Sequence, residues 1–181
     1  MADFQLAYKR TLGFEGEETN DHEDPGGRTR YGIAENFWPD WWSEDGRRPT
    51  LTDAPIFYRL NFWNKMRGDD IDDQLVANEI FDTGVNCGYS TWHFVQEAIN
   101  CLSEYERLRG RATELEVDGR IGPITIKTIN AFCTRDEWRD SLLGLLDYYQ
   151  CKIYVRGNPK FRKGQIAKRI GGHHGVEESA K

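Results

Sequence analysis

Hydrophobic residues recur every three or four positions along most of this chain, which is the spacing of helices with one buried face. The first such pattern begins at Phe4 and ends at Leu12, where the chain turns polar. Further helical patterns cover residues 53–66, 75–84, 94–102, 126–133, 138–153 and 161–170. The sequence therefore predicts about seven helices and a mainly α fold.

Signals for extended structure are few. Residues 29–34 alternate after a cluster of Asp, Pro and Gly, which predicts one short hairpin on the surface. Residues 103–116 are charged and irregular and predict a loop. Gly122 and Pro123 are typical of a helix start, because proline lacks the donor that the first turn leaves unused.

The length and the charge of the chain limit the classes of protein to consider. The 181 residues are expected to form one compact unit with two lobes. The formal charge is −6 and no long basic stripe occurs, so nucleic acid is not an expected partner. No run of eighteen apolar residues predicts a membrane span, and the amphipathic N-terminus does not resemble an export signal.

The cysteines and the acidic runs do not predict a metal site. Cys87, Cys101, Cys133 and Cys151 are far apart and form no C-x-x-C pair, which argues against a zinc ribbon. We expect them to be reduced and buried, with two disulfides as the alternative in an oxidising compartment. The acidic run at residues 69–73 lacks the pattern of a calcium loop and predicts a solvated loop or a helix start.

Two carboxylates near the N-terminus suggest glycosidic bond hydrolysis. Glu15 follows the first helix, where burial would raise the pKa of its carboxyl and let it donate a proton to a leaving sugar oxygen. Asp24 precedes Pro25 on a polar turn, where it would stay ionised. Two carboxyls in unlike surroundings supply one acid and one base or nucleophile.

Each of these residues also has a structural interpretation. Glu15 could cap its helix or pair with Arg28 or Arg30, and Asp24 could stabilise the turn through an Asx hydrogen bond. Thr29 could hold a water through its hydroxyl, or it could serve only as a β-branched strand residue.

Several motifs occur in the order seen in a known family. The segments at residues 14–16 and 24–33 resemble the N-terminal motif of glycoside hydrolase family 108, the muramidases of phage endolysins and some secretion-associated bacterial proteins. Residues 81–88, 95–98 and 117–123 resemble its predicted peptidoglycan-binding half. One departure is Glu17, which stands where the family usually has a second glycine.

The resemblance implies roles for individual residues. It implies that Glu15 is the catalytic acid and that Asp24 and Thr29 position a water on the opposite face of the sugar. The residues predicted to bind substrate are Tyr31 in the motif, the tryptophan Trp63, and Asp82 and Asn86 near a helix end. No cofactor and no metal are expected.

The fold implied is a lysozyme-like α+β arrangement with a cleft between two lobes. Residues 1–66 would form the catalytic lobe, residues 67–172 a helical peptidoglycan-binding lobe, and residues 173–181 a tail. The expected protein is a monomeric muramidase, a phage endolysin that is made in the host cytoplasm and acts on the cell wall in the periplasm. A lytic transglycosylase, a non-catalytic wall-binding or secretion-assisting protein, and a virion protein remain as alternatives.

Overall fold

The computed structural model describes residues 1–12, 18–19, 26–42, 48–108 and 114–156. Within these residues the helices are α1 (Phe4–Leu12), α2 (Asp53–Tyr58), α3 (Gln74–Cys87), α4 (Ser90–Leu108), α5 (Pro123–Cys133) and α6 (Asp136–Arg156). The strands β1 (Glu18–Thr19), β2 (Thr29–Arg30) and β3 (Ile33–Ala34) form an antiparallel sheet with β2 in the middle. The predicted mainly α fold with a small sheet is confirmed.

The chain divides into two compact units, residues 1–82 and residues 83–181. The division falls within α3, between Asp82 and Thr83. The predicted boundary between the two lobes lies earlier in the chain, at residue 67. The separate roles of the lobes in catalysis and binding stay predictions.

Side chains close to each helix start explain where α2, α3 and α5 begin. Thr50 and Asp53 exchange hydrogen bonds, the Thr50 N–H donating to Asp53 Oδ2 at 2.9 Å and the Asp53 N–H to Thr50 Oγ1 at 3.2 Å. Asp73 Oδ1 accepts the Val76 N–H at 3.0 Å before α3. Pro123 opens α5 as predicted. α2 continues without a break into a π-helical turn, Arg59–Trp63.

Aromatic rings fill the core of the first unit. Phe4 of α1 packs against Trp63 and Phe81 with ring centroids 5.6 and 5.9 Å apart. Phe57 of α2 meets the edges of Trp38 and Trp41 at 4.9 and 5.2 Å. Such edge-to-face pairs add specificity to apolar burial, and they fix α1, α2 and residues 38–41 against one another.

The second unit is built on α4, α5 and α6. As predicted, α4 buries an apolar stripe, with Val95 and Ile99 fully enclosed. The buried stripe of α6 consists of Leu142, Leu146, Gln150 and Tyr154. The sequence predicts a stripe of Trp138, Leu142, Leu145, Tyr149 and Ile153, of which only Leu142 is buried and the others are partly covered. The buried face differs from the predicted one because the polar residue Gln150 is buried, where its amide donates a hydrogen bond to Thr83 Oγ1 at 2.7 Å.

Two other expectations need correction. The predicted loop at residues 103–116 is wrong in its first part, because α4 continues to Leu108. The cysteines are thiols, as expected, but they are not buried: Cys101 is exposed and the other three are half-buried. The predicted last helix at residues 161–170 and the tail lie outside the described residues.

Two buried amides on α4 hold the segment that leads to α5. Asn100 binds both backbone groups of Leu115, accepting its N–H at 2.8 Å and donating to its carbonyl at 2.8 Å. Gln96 accepts the Gly119 N–H at 2.9 Å and donates to Asp118 Oδ1 and the Arg120 carbonyl at 2.9 and 3.0 Å. These side chains supply the hydrogen bonds that a neighbouring strand would otherwise supply.

We predict that Asn100→Ala lowers the free energy of unfolding by about 2 kcal/mol, because it leaves two buried backbone groups of Leu115 without partners. Urea denaturation would measure the change. Glu97→Ala, at an exposed position of the same helix, is the matched control and should change stability by less than about 0.5 kcal/mol. Equal effects of the two variants would contradict the role given to Asn100.

Candidate active site

The hairpin between β2 and β3 turns through only two residues, Tyr31 and Gly32. Both have positive φ, 50° for Tyr31 and 74° for Gly32. Two positive φ values are the pattern of a type I′ turn, which matches the twist of the strands it joins and usually contains Asn-Gly. A tyrosine in the first position is strained, so the surrounding structure must hold it there.

Tyr58 of α2 provides that support. Its hydroxyl donates to the Tyr31 carbonyl at 3.2 Å, and its ring packs edge-on against Tyr8 of α1 at 5.9 Å. Gly32 lies directly against the Tyr58 hydroxyl, and a Cβ there would come within 3.9 Å of Leu12 Cδ2. The turn is therefore seated on α2 and beside the last residue of α1.

Thr29 lies in β2, half-buried and paired with Thr19 on one side and Ala34 on the other. Its hydroxyl donates to the Gly27 carbonyl at 3.5 Å, which is long for this kind of hydrogen bond. Because so weak a bond barely restrains the hydroxyl, Thr29 can bind a water or a sugar hydroxyl.

A charged pair closes the base of the hairpin. Arg28 donates from Nε and Nη2 to the two carboxylate oxygens of Glu35 at 2.7 and 2.6 Å. The Arg28 guanidinium also lies over the Trp42 ring, 5.2 Å from its centroid. The hydrogen bond from Arg28, with the positive charges of Arg28 and Arg48, lowers the pKa of Glu35. Any stability the pair adds is therefore present above the ordinary glutamate pKa, about 4.3, and is lost as the pH falls through the lowered value.

The two carboxylates predicted to be catalytic, Glu15 and Asp24, lie outside the described residues. Along the chain Glu15 falls between α1 and β1, and Asp24 falls between β1 and the hairpin. The predicted residues Thr29 and Tyr31 both lie on the hairpin, two positions apart. The hairpin therefore carries two of the five predicted site residues that the structure describes.

The remaining predicted substrate-binding residues are enclosed to different degrees. Trp63 is fully buried, and its indole N–H donates to Asp69 Oδ1 at 2.8 Å. A ring so enclosed has no face to offer a sugar, so the expected sugar contact by Trp63 is replaced by a role in the core. Asp82 is 5% exposed within α3, and Asn86, one turn later, is half-buried.

Sequence reasoning missed two ion pairs in the first unit. Arg28 and Glu35 stand at equal distances from the two-residue turn, and this symmetry of opposite charges is a signal for a cross-strand pair. Glu79 of α3 is 2% exposed and lies 3.7 Å from Arg10 of α1. No sequence signal marks Glu79, because its burial depends on how α1 packs on α3.

Neither a metal centre nor a membrane helix is found within the described ranges. No three His, Cys, Asp or Glu side chains in those ranges group as metal ligands. None of the helices there combines the length and the hydrophobicity that crossing a membrane requires.

Comparison with known proteins finds one matching sequence family and a shared fold. Residues 8–88 match the sequence model of the family described as glycosyl hydrolase 108. Among solved structures, SagA from Brucella abortus superposes with a TM-score of 0.68 and 22% identity, covering 93% of this chain and 89% of that chain. No curated protein sequence matches.

The protein is thus a glycoside hydrolase. Its segment 8–88, which contains most of α1, the three strands, α2 and α3, is similar to glycosyl hydrolase family 108, whose substrate is peptidoglycan. The resemblance inferred from the motifs around the hairpin is confirmed. The likeness to SagA shows that the two chains share a fold.

The turn leads to a test of the local structure. We predict that Gly32→Ala lowers the free energy of unfolding by about 2 kcal/mol or more, because the new Cβ meets the Tyr58 hydroxyl and strains a positive φ. Tyr31→Asn is the matched control, since asparagine tolerates positive φ and should leave stability within about 1 kcal/mol. Urea denaturation of both variants would decide, and a stable Gly32→Ala protein would contradict the described turn.

Proposed function

We propose that this glycoside hydrolase is an N-acetylmuramidase, which cleaves the β-1,4 bond between N-acetylmuramic acid and N-acetylglucosamine in peptidoglycan. The observation that supports this most directly is the hairpin seated beside the end of α1 within the family segment. Glu15 follows that helix in the chain, and Asp24 precedes that hairpin. In this proposal Glu15 is the proton donor and Asp24 is the base.

In the proposed reaction Glu15 donates a proton to the bridging oxygen, which leaves with the N-acetylglucosamine unit. Asp24 accepts a proton from a water, and the Thr29 hydroxyl helps to hold that water beneath the anomeric carbon. The C1–O bond breaks as the water oxygen bonds to C1 of the muramic acid. The weak hydrogen bond of Thr29 to Gly27 supports this role, because little has to be broken before the hydroxyl can bind the water.

The second half is proposed to bind the glycan strand. Its support is the motif at residues 117–123, which the Gln96 amide joins to α4 through hydrogen bonds to Asp118, Gly119 and Arg120. We further propose that the protein is a monomeric phage endolysin, made in the host cytoplasm and active on the wall from the periplasm.

We predict that Glu15→Gln lowers wall hydrolysis by about 10²- to 10⁴-fold without loss of folding, because the amide keeps the size of the side chain but has no acidic proton to donate. The measurement is the release of reducing ends from purified peptidoglycan, with circular dichroism to confirm folding. Glu18→Gln, on β1, is the control and should keep activity within about threefold.

Three outcomes separate this proposal from its alternatives. Activity of Glu15→Gln close to wild type would remove Glu15 from the mechanism. Products with 1,6-anhydro ends, seen by mass spectrometry, would identify a lytic transglycosylase. Binding to peptidoglycan without any release of reducing ends would identify a wall-binding protein.

We also predict inversion at the anomeric carbon, with the α-anomer as the first product. A water-mediated attack requires carboxyl groups about 6.5–9.5 Å apart, whereas a covalent route requires about 5–5.5 Å. NMR of the first-formed anomer tests this, and β-product would exclude Asp24 as the base for water. Asp24→Asn should lose most of the activity, since an amide is a poor base, and a fully active variant would leave Asp24 with a turn role only.

A further inference from the structure

The ends of the described hairpin are joined by both backbone and side chains. The Glu35 N–H donates to the Arg28 carbonyl at 2.8 Å, so these two residues stand opposite each other just beyond β2 and β3. Their side chains meet as well, through the two hydrogen bonds of 2.7 and 2.6 Å. The planar fork of arginine fixes both the distance and the orientation of its partner carboxylate.

The backbone pairing continues towards the segment that precedes the hairpin. The Asn36 N–H donates to the Gly26 carbonyl at 3.1 Å. Gly27 has φ +69°, and a Cβ there would lie 2.9 Å from Asn36 Nδ2, so the two chains run very close at this point. The Arg28–Glu35 pair therefore lies between the Gly26–Asn36 contact and the strand residue Thr29.

The pair is too exposed to contribute much to stability. The Arg28 side chain is 42% exposed and the Glu35 side chain 31% exposed. Ion pairs this accessible to water are weak in free energy, since solvent screens the charges and two side chains lose freedom. Arg67 and Asp70 form a pair of similar exposure, 40% and 43%, but only across three residues of one turn. What distinguishes Arg28 and Glu35 is that they join two strands at the predicted site.

We propose that the Arg28–Glu35 pair is a positioning device for the hairpin side of the active site. It holds the hairpin closed at its base, with Arg28 braced on the Trp42 ring, so that the Thr29 hydroxyl keeps a fixed orientation. The inference rests on the proposed function, and it names two positioning residues that touch neither substrate nor the reacting atoms.

The physical reason is the sensitivity of water attack to geometry. An attacking water must lie on the line of the breaking bond, and a misplacement of about 1 Å can cost about a hundredfold in rate. When Glu35 is neutral or Arg28 cannot bind with two donors, the base of the hairpin can open. Substrate binding would persist, whereas the productive orientation would be populated for less of the time.

The test is a kinetic comparison of Glu35→Gln and Arg28→Lys with wild type on soluble peptidoglycan fragments. We expect each variant to lower kcat by about tenfold or more while KM stays within about twofold. The double variant should lose no more than the worse single variant, because the two residues act as one unit. Asp70→Asn is the matched control, breaking the similar pair away from the hairpin, and should leave kcat unchanged.

Hydrogen exchange gives a readout that does not depend on catalysis. The amides of Glu35 and Asn36 should exchange faster in Glu35→Gln than in wild type, while the Asp70→Asn control should leave them unchanged. A kcat of Glu35→Gln within twofold of wild type, or additive losses in the double variant, would overturn the inference. Absence of hydrolysis by the wild-type protein would overturn the proposed function instead, and the exchange rates would still decide whether the pair holds the hairpin.

Discussion

The geometry of the first unit depends on Tyr58, whose ring packs in the core and whose hydroxyl contacts the hairpin. The Tyr58 ring stacks on Phe62 with centroids 5.9 Å apart and meets Phe57 edge-on at 4.9 Å, so the ring is held by its aromatic neighbours. The hydroxyl binds the Tyr31 carbonyl and lies against Gly32. A strained turn is thereby tied to the aromatic core of the unit, and the surrounding contacts keep the strained conformation in place.

In both units, a few hydrogen bonds stabilise backbone that has little regular secondary structure. The sheet has only two residues in each strand, too few to be stable alone, and polar contacts beyond the strands extend its pairing. In the second unit, the side chains of Gln96 and Asn100 form hydrogen bonds with the backbone of residues 115–120. In both cases helices supply the support, and a few directed hydrogen bonds fix segments that have little or no regular secondary structure.

Trp63 shows how packing rather than chemistry decides the role of an aromatic residue. Its ring lies so close to Gly68 that any side chain there would overlap it, and its N–H is satisfied by Asp69. Tyr31 and Thr29, the predicted site residues on the hairpin, are only half-buried.

Local signals in the sequence were enough to predict most of the described helices, the short hairpin and the resemblance to the family, because periodic burial, the Gly122-Pro123 start and the motif at residues 24–33 are local patterns. The catalytic hypothesis for Glu15 and Asp24 likewise rests on residue type and order. The tertiary structure alone decided that Trp63 is enclosed, that Glu79 meets Arg10, and that Gln150 is buried. These outcomes depend on contacts between residues distant in the chain, and no local pattern of apolar and polar positions encodes which partner a side chain will meet.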